Sequence, residues 1–358
     1  MSRTERASRL FNWKAVLGIS ISVLLLYFAL RDVDAAEIGF ELRSARPGWL
    51  LIAAIAATLP ISLRAWRWGP LIEPVLPHSS FRARNAASFV GFMANNLLPA
   101  RVGEFARAYA LSRLEPVSVS ASFASLVVER VFDGLTVVTF LLVAMTLPSF
   151  PTVAAGGLPD FSAMALTLLG AVAAVACMLV LMAIFPRPTV SLVERLSRYT
   201  LPRSLRRPLV DALTAFLDGL GVLRSPRLLL RVALASLVVW GVNGASFYFG
   251  FLAFDIQAPV SAAFFLQSLI ALAVAIPSAP GFFGLFEGAA RVGLVDLFGI
   301  EVNKAMGFAI GIHIAGFIPV TVIGLFYLWR LGMSWREVER SEEAVEEAVE
   351  SRHEELRP

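Results

Sequence analysis

Long apolar runs alternate along this chain with short segments that are rich in arginine. A helix needs about 20 predominantly apolar residues to cross the roughly 30 Å of hydrocarbon in a bilayer. Runs of suitable length predict six transmembrane helices, over residues 14–31, 47–65, 119–147, 161–185, 231–254 and 305–329. The first run is longer than the apolar part of a signal peptide, and no small-residue cleavage site precedes a soluble domain. We therefore predict that it stays in the protein as a membrane helix.

Two further apolar segments, residues 81–115 and 260–300, do not fit as single crossings. Each has a polar tip with proline and glycine, NNLLPARVGEFAR in the first and AIPSAPGFFGLFEGAAR in the second. The first segment begins and ends among arginines, and the second must leave by the face where it entered if the last span is to end inside. We predict two re-entrant helical hairpins that enter from opposite faces. The alternative is two Pro-kinked helix pairs that only pack within the bundle.

The short loops predict the orientation, because Lys and Arg are enriched in cytoplasmic loops. Arginine is frequent in the N-terminal segment, after the second span, and in the segment 187–231, which holds nine of them. The segments 148–160 and 255–263 contain neither lysine nor arginine. We therefore predict a multi-pass protein of the inner cell membrane whose two termini are both cytoplasmic.

The composition agrees with a polytopic membrane protein, since 57% of the residues are hydrophobic, 16% are charged and the mean hydropathy is +0.72. Cys177 is the only cysteine, which excludes a disulfide framework within the chain. His78, His313 and His353 lie far apart without ligand spacing, and no nucleotide-binding motif occurs. We predict no metal, no cofactor, no nucleic-acid partner and no ATP hydrolysis.

The two polar tips resemble each other as a weak internal repeat with inverted topology. Its matching positions are Pro99, Gly103, Glu104 and Arg107 in the first tip, and Pro280, Gly284, Glu287 and Arg291 in the second. Inverted repeats with broken helices are typical of secondary transporters, in which freed backbone groups bind an ionic substrate at membrane depth. The predicted fold class is an all-α polytopic membrane protein with about six transmembrane helices plus two opposed re-entrant hairpins related as an inverted repeat.

Ionisable residues also occur within the third predicted span, at Glu129, Arg130 and Asp133. An uncompensated charge in a membrane costs about 2.5–3.5 kcal/mol on insertion scales, so these groups must pair or face water. Helical spacing predicts three local pairs. They are Glu104 with Arg107, Glu287 with Arg291, and Arg130 with Asp133. The alternative to a binding site is a purely structural ion-pair network.

Arginine suits a lipid phosphate, because its planar guanidinium stays ionised and forms two parallel hydrogen bonds. We predict that Arg101 and Arg107, with Arg291 as a further candidate, point into a hydrated cavity and hold the phosphate. The acidic residues would orient these arginines or titrate during transport. The candidate substrate-binding residues are Asn95, Asn96, Pro99, Arg101, Glu104, Arg107, Glu129, Arg130, Asp133, Pro280, Gly281, Gly284, Glu287 and Arg291, with Arg64 and Arg67 as further headgroup contacts.

Three motifs in this order, NNLLPARVGEFARAYAL, VVERVFDG and PSAPGFFGLFEGAAR, resemble the flippase-like transmembrane domain of lysylphosphatidylglycerol synthases. The similarity runs from about residue 10 to about residue 330, and the stretch RAWRW also fits the family. The resemblance implies an integral membrane protein that moves an anionic or aminoacylated lipid, or a lipid-linked sugar, between leaflets. The synthases carry a soluble aminoacyl-transferase domain after the membrane part, whereas about 29 residues follow the last span here. We therefore expect a free-standing member that is not an enzyme.

We expect a membrane domain at residues 1–333 and an acidic cytoplasmic tail at residues 334–358, which has nine glutamates against four arginines. Segment 187–230 alternates apolar and basic positions near the helical period, which predicts amphipathic helices at the membrane surface. Docking of a cytoplasmic enzyme is the alternative for this segment. The predicted function is a flippase or transporter of an anionic phospholipid or a polyprenyl-phosphate-linked lipid. The alternatives are an accessory subunit or transferase partner in lipid-linked glycan or cell-envelope lipid assembly, and a structural scaffold.

Overall fold

The computed structural model describes residues 20, 22–98, 102–151, 161–200, 210, 213–214, 216–276 and 279–341. Over these residues the chain is helical and contains no β-strand. The α-helices are α1 (residues 22–30), α2 (Ala35–Ser44), α3 (Pro47–Ile72), α4 (Phe81–Leu97), α5 (Gly103–Leu114), α6 (Val119–Thr146), α7 (Phe161–Ile184), α8 (Pro186–Thr200), α9 (Pro226–Ala253), α10 (Val260–Ala273), α11 (Leu285–Arg291), α12 (Val302–Arg330) and α13 (Trp335–Glu339). Shorter 3-10 turns lie at Leu220–Arg224 and Pro280–Phe282, and a π-helical turn lies at Val292–Leu297.

Local sequence signals set the starts of the long helices. Ser118 and Ser225 cap α6 and α9, because each hydroxyl accepts a hydrogen bond from a backbone amide of the first turn. Glu301 caps α12 in the same way through two amides. Pro47 and Pro226 occupy the first positions of α3 and α9, where the missing amide hydrogen removes no helical hydrogen bond. These caps and prolines therefore define the residues at which α3, α6, α9 and α12 begin.

Four described helices are long and apolar enough to cross a membrane. They are α3, α9, α12 and the part of α7 from Leu166 to Ile184. α6 has 28 residues, but three charged residues, Glu129, Arg130 and Asp133, lie in its middle. The predicted span at 119–147 is therefore not a plain apolar run, and it depends on compensation of these charges. Residues 14–19 and 21 of the predicted span 14–31 lie outside the described residues, and residues 22–30 form α1.

Loops gather at two ends of the helix bundle. At the first end, Arg46 forms an ion pair with Asp255 at 3.0 Å, and the Asp34 amide donates to the Asn303 side chain at 3.0 Å. The first contact joins the segments before α3 and after α9, and the second joins the segment before α2 to the first turn of α12. The first end therefore contains the chain segments that connect α1 and α2 to the start of α3 and α9 to α10.

The second end gathers a different set of loops. Glu73, after α3, lies 3.9 Å from Arg231 near the start of α9, and the Ser80 amide before α4 donates to the Glu115 carboxylate after α5 at 3.0 Å. Since α3 runs from the first end to the second and α9 returns, these two long helices are antiparallel. They also form the most extensive helix pair in the bundle.

The helices α4 and α5 form a hairpin that begins and ends at the second end, where Ser80 meets Glu115. The two helices touch at Gly91 and Gly103, because a Cβ on Gly103 would lie 2.0 Å from the Gly91 carbonyl oxygen. A side chain on Gly103 would therefore force the helices apart. The Gly103 amide also donates to the Asn95 side chain at 2.8 Å, which ties the two helices together beside the tip.

The helix α10, with α11 and the π-helical turn, forms a second hairpin that begins and ends at the first end. Phe265 of α10 and Phe298, which follows the π-helical turn, have ring centroids 6.2 Å apart. Lys304 of α12 donates to the carbonyl oxygen of Asp255 at 3.5 Å. The chain thus enters and leaves this hairpin at the same end, and the two hairpins start from opposite ends of the bundle.

Helix α3 packs on α4, α6, α9 and α12. Its residues Trp68, Leu71 and Ile72 are fully buried. The same surroundings bury Arg64 and Arg67, although arginine is almost never buried unless it is paired. The position of α3 therefore puts two cations inside the bundle, where they need partners from other helices.

Helix α8 begins in the segment for which the sequence predicts amphipathic helices. Leu192 and Leu196, four residues apart on this helix, are both exposed. Such an exposed apolar stripe is typical of a helix that lies on a membrane surface. Residues 201–209 of the predicted segment lie outside the described residues.

Helix α13 belongs to the first part of the predicted acidic tail and packs against the first hairpin. Arg113 of α5 forms an ion pair with Glu337, and Val338 is fully buried in the main hydrophobic core. The backbone amide and the hydroxyl of Ser334 donate hydrogen bonds to the Glu337 carboxylate and hold its pKa below the ordinary value. The charge of Arg113 lowers this pKa further, to a smaller extent. Residues 342–358 of the predicted tail lie outside the described residues.

Candidate functional site

Helices α3, α5 and α6 build a network of charged side chains in the interior of the bundle. Arg64 and Arg67 lie three apart on α3 and share one face, and Glu129 and Asp133 lie four apart on the facing side of α6. Arg107 reaches the network from α5. These five side chains are all buried, and the Glu129 side chain has no exposed surface. The network is therefore sealed from lipid on most sides.

Asp133 binds the two arginines of α3. Its two carboxylate oxygens accept hydrogen bonds from Arg64 Nη1 at 2.6 Å and Arg67 Nη1 at 2.7 Å. The indole Nε1 of Trp240 on α9 donates to the same carboxylate at 2.8 Å, and Ser236 accepts from Arg67 at 2.8 Å. The charge on Asp133 is thus stabilised by two cations and a neutral donor, which suits a buried carboxylate.

Glu129 binds the arginine of the first hairpin. Arg107 donates to both of its oxygens, at 2.7 and 3.1 Å, in the two-point geometry that makes such pairs strong. Arg67 Nη2 lies 3.3 Å away, and Arg130 Nη2 donates at 3.0 Å. The Arg107 guanidinium also lies over the Trp68 ring, 4.2 Å from its centroid. Glu129 therefore links α5 to both α3 and α6.

The network reaches the protein surface at Arg130 and Glu104, whose side chains are 34% and 20% exposed. Arg130 Nη1 lies 3.8 Å from Glu104 and 3.3 Å from Asp133. Arg130 lies on α6 and Glu104 in the first turn of α5. Their edge of the network is therefore the place where a ligand could meet it.

The network carries a surplus of positive charge and of hydrogen-bond donors. Four arginines and three carboxylates give a net charge of 4 − 3 = +1; they are Arg64, Arg67, Arg107 and Arg130 with Glu104, Glu129 and Asp133. Within the described part of the chain, four buried guanidinium nitrogens have no hydrogen-bond partner: Nε of Arg67, Arg107 and Arg130, and Nη2 of Arg67, which lies 3.3 Å from Glu129 without hydrogen-bond geometry. Because unpaired buried donors are costly, this arrangement favours an anionic guest.

Two of the predicted features of the first hairpin differ in the structure. Glu104 and Arg107 do not form the predicted local pair, because Arg107 binds Glu129 and Glu104 lies nearest Arg130. Arg107 is buried in these contacts and does not point into a hydrated cavity. The predicted pair of Arg130 and Asp133 is confirmed, at 3.3 Å. Buried charges here need several partners each, and one neighbour on the same helix cannot supply them.

The polar residues at the tip of the first hairpin have structural contacts. Asn95 holds the start of α5, as described above. Asn96 donates to Thr321 at 2.9 Å and to the Phe317 carbonyl oxygen at 3.4 Å, which fastens the tip to α12. The predicted residues Pro99 and Arg101 lie outside the described residues.

The second hairpin places its predicted residues in a separate cluster around α12. Glu287 of α11 does not pair with Arg291. Its carboxylate lies 2.7 Å from Nδ1 of His313 and accepts from the Gly284 amide at 2.7 Å. Arg291 binds Asp32 at 2.8 Å instead. The remaining predicted positions, Pro280 and Gly281, form the 3-10 turn at the tip.

Several residues of these clusters were not found by the sequence argument. Ser236 and Trp240 are the polar partners on α9, and their four-residue spacing on an apolar helix was the available signal. His313, which lacks metal-ligand spacing to the other histidines, lies inside an apolar span, where an ionisable residue is a functional candidate by default. Among the residues that the structure describes, no group of three or more His, Cys, Asp and Glu is placed to hold a metal ion.

The family model of the lysylphosphatidylglycerol synthase transmembrane region matches the sequence over residues 15–324. Glycosyltransferase AglD of Haloferax volcanii is 28% identical over 334 residues, which cover 86% of this chain and 53% of the relative, so the chain spans about half its length. A UPF0104 membrane protein of Methanothermobacter thermautotrophicus is 25% identical over 337 residues, which cover 86% of this chain and 90% of the relative. No solved structure matches the chain. With a family model that covers most of its length, the chain belongs to the family of the lysylphosphatidylglycerol synthase transmembrane region.

Proposed function

We propose that this protein is a lipid flippase or transporter that moves an anionic phospholipid or a polyprenyl-phosphate-linked lipid between membrane leaflets. The observation that carries the proposal is the buried network with a net positive charge and unpaired guanidinium donors, which reaches the surface at Arg130. A phosphate group supplies the missing negative charge and acceptors. The lipid would be bound and moved without a covalent step.

The position of the network along α6 suits an intermediate site in transport. With a rise of about 1.5 Å per residue, Glu129 and Asp133 lie roughly 15 and 21 Å from the start of this 28-residue helix. Both positions are near the middle of its length. A headgroup bound there would be about equally far from the two ends of the bundle, as alternating access requires.

Within this proposal the arginines have different roles. Arg130 makes the first contact with the phosphate, because its side chain is partly exposed and its Glu104 contact at 3.8 Å is long enough to be exchanged. Arg64, Arg67 and Arg107 hold the carboxylates in place and supply the positive field. This refines the sequence-based proposal, in which Arg101 and Arg107 bind the phosphate directly.

The two hairpins supply the moving parts in this proposal. They start from opposite ends of the bundle, which supports a re-entrant pair related as an inverted repeat. In transporters with such repeats, one repeat moves against the other around a central site. The arginine-rich second end would face the cytoplasm and hold both termini, in agreement with the enrichment of arginine in cytoplasmic loops.

Leaflet exchange in liposomes tests the proposal. The purified protein is reconstituted with fluorescent anionic phospholipids or fluorescent polyprenyl phosphates, and the fraction that moves to the other leaflet is measured over time. Arg130→Lys keeps the charge but loses the planar fork, so we expect the exchange rate to fall roughly tenfold, as for loss of one charged hydrogen bond. Arg231→Lys, in an exposed pair with Glu73, is the control and should keep the rate.

The outcomes separate the candidate functions. Exchange no faster than in protein-free liposomes, for every lipid tested, contradicts a flippase. Binding of polyprenyl phosphate that is weakened by Arg130→Lys, without exchange, would instead favour an accessory subunit that presents a lipid carrier for glycan assembly. The relative named as a glycosyltransferase, of which this chain covers 53%, supports keeping this second candidate.

A further inference from the structure

A buried pair of titratable side chains lies where the tip of the second hairpin meets α12. Glu287 of α11 and His313 of α12 are 1% and 8% exposed, and Oε1 of the glutamate lies 2.7 Å from Nδ1 of the histidine. The second ring nitrogen, Nε2, lies 2.8 Å from the carbonyl oxygen of Gly281. The other carboxylate oxygen of Glu287 accepts from the Gly284 amide at 2.7 Å. Every polar atom of the pair therefore has a short contact.

These contacts determine how many protons the pair holds. A carbonyl oxygen can only accept a hydrogen bond, so Nε2 of His313 must carry a proton. The 2.7 Å contact between Nδ1 and Glu287 then needs one further proton, either on the carboxyl or on the ring. Both arrangements leave the pair with zero net charge. Loss of this shared proton would leave the Nδ1 lone pair facing a carboxylate, and the hydrogen bond would be lost.

The surroundings isolate the pair from other charges in the described part of the chain. Arg291, one turn along α11, is directed to the end of α1, where it binds the Ala29 carbonyl oxygen at 3.0 Å and Asp32, just after the helix, at 2.8 Å. α10 has no charged residue, and α4 reaches this side of α12 with the neutral Asn96. The other charges of α12, such as Lys304, lie near its ends.

Aromatic rings cover the pair. The His313 ring lies 4.6 Å from the Phe283 ring and is stacked on the Phe286 ring at 4.3 Å, measured between centroids. In such apolar surroundings an unbalanced charge is strongly disfavoured. Uptake or release of the shared proton must therefore be accompanied by a change in the packing around the pair.

The turn that the pair contacts, residues 280–284, has a strained backbone. Gly281, Phe282 and Gly284 have φ values of 69°, 61° and 89°, in a region that phenylalanine rarely adopts. The turn is also pressed against its neighbours, since a Cβ on Gly284 would lie 2.2 Å from the Ser22 carbonyl oxygen of α1. His313 and Glu287 supply the hydrogen bonds that hold the Gly281 carbonyl and the Gly284 amide in this conformation.

We propose that Glu287 and His313 form a proton-binding site, and that the shared proton latches the 280–284 turn onto α12. With the proton bound, the two side chains hold both ends of the strained turn. Without it, the Nδ1 contact is lost and the turn loosens from α12. The ligand of this site is the proton itself, and the site is distinct from the arginine network of α3, α5 and α6.

Cysteine labelling tests the latch. The probe is Ile276→Cys, at an exposed position just before the turn, in a Cys177→Ser background that removes the exposed native thiol. Glu287→Gln is added to the same background. The Gln side chain can donate to Nδ1 and accept from the Gly284 amide, so it imitates the protonated carboxyl at every pH. At each pH, the labelling rate of the Ile276→Cys probe in the protein with Glu287 is divided by its rate in the Glu287→Gln variant. This ratio cancels the pH dependence of the thiol itself.

We expect this ratio to be near one at low pH and to rise by about fivefold as the pH is raised, as for loss of one hydrogen bond. Glu73→Gln, at an exposed site of the second end, is the matched control and should give a ratio of one throughout. A ratio that stays constant between about pH 5 and pH 8, the range in which an ordinary histidine changes its charge, overturns the proposal.

A second measurement covers the case in which Glu287→Gln packs poorly. Proton uptake by the purified protein is titrated in detergent, and the unaltered protein should bind one more proton than the Glu287→Gln or His313→Gln variant. Equal uptake by all three proteins contradicts a shared proton. Both measurements use no transported lipid, so a failure of the flippase proposal would leave their outcome unaffected.

Discussion

Replacing Glu129 by Gln should destabilise the protein more than loss of an ordinary hydrogen bond. Glu129 has no exposed surface and accepts two hydrogen bonds from Arg107 and one from Arg130, with Arg67 at 3.3 Å. Gln keeps the shape but removes the charge, so the net charge of the network rises from +1 to +2. Removing one partner of a buried ion pair typically costs about 3–5 kcal/mol, against about 1 kcal/mol for a neutral hydrogen bond.

A double variant separates the charge from the packing. Arg107→Met combined with Glu129→Met removes one positive and one negative charge, so the net charge returns to 3 − 2 = +1. Apolar replacement of a buried ion pair is often neutral. Met also preserves part of the contact that the Arg107 stem makes with Trp68. We therefore expect the double variant to recover most of the stability that Glu129→Gln loses.

The assay is unfolding in mixed micelles with increasing SDS, monitored by the circular dichroism of the helices. Free energies of unfolding are compared between variants whose free energy falls with SDS at the same slope. Glu73→Gln, in an exposed pair at 3.9 Å, is the control and should change the free energy of unfolding by less than about 1 kcal/mol. A loss of under about 1 kcal/mol for Glu129→Gln would refute the reasoning. So would a double variant that is less stable than the single one.

Two further predictions concern the first hairpin and the helix docked on it. Gly103→Ala should destabilise the protein by about 1–3 kcal/mol in the same assay, because its Cβ would lie 2.0 Å from the Gly91 carbonyl oxygen. Gly241→Ala is the control and should not destabilise it, because a Cβ at this position would have no neighbouring atom within 4 Å. Hydrogen bonds from Ser334 lower the pKa of Glu337 below 4.5, so the Glu337 contribution to α13 docking is present above pH 4.5 and is lost as the pH falls through the lowered value. Hydrogen exchange of α13 should therefore be faster in Glu337→Gln than in the unaltered protein at about pH 6, and this difference should shrink as the pH is lowered below 4.5; a difference that does not shrink would contradict the reasoning.

The sequence by itself determined the helical framework. The apolar runs predicted the long helices now seen as α3, α7, α9 and α12. About 20 apolar residues are needed to span the hydrocarbon, and within it a helix pairs its own backbone amides and carbonyls. The motifs around Glu129 and the two tips identified the family. The positions of the arginine-rich loops also predicted two re-entrant hairpins related as an inverted repeat, and this relation stays a prediction. In the structure, the helix pairs α4–α5 and α10–α11 start from opposite ends of the bundle.

The tertiary structure decided which charges meet. Spacing along one helix predicted that Arg107 would bind Glu104 and that Glu287 would bind Arg291, but the partners are Glu129 and His313. A residue three or four positions away supplies one contact on a helix surface, whereas a buried charge needs several donors or acceptors to offset its desolvation. Those partners come from other helices, and only the packing and rotation of the helices determine which side chains face each other.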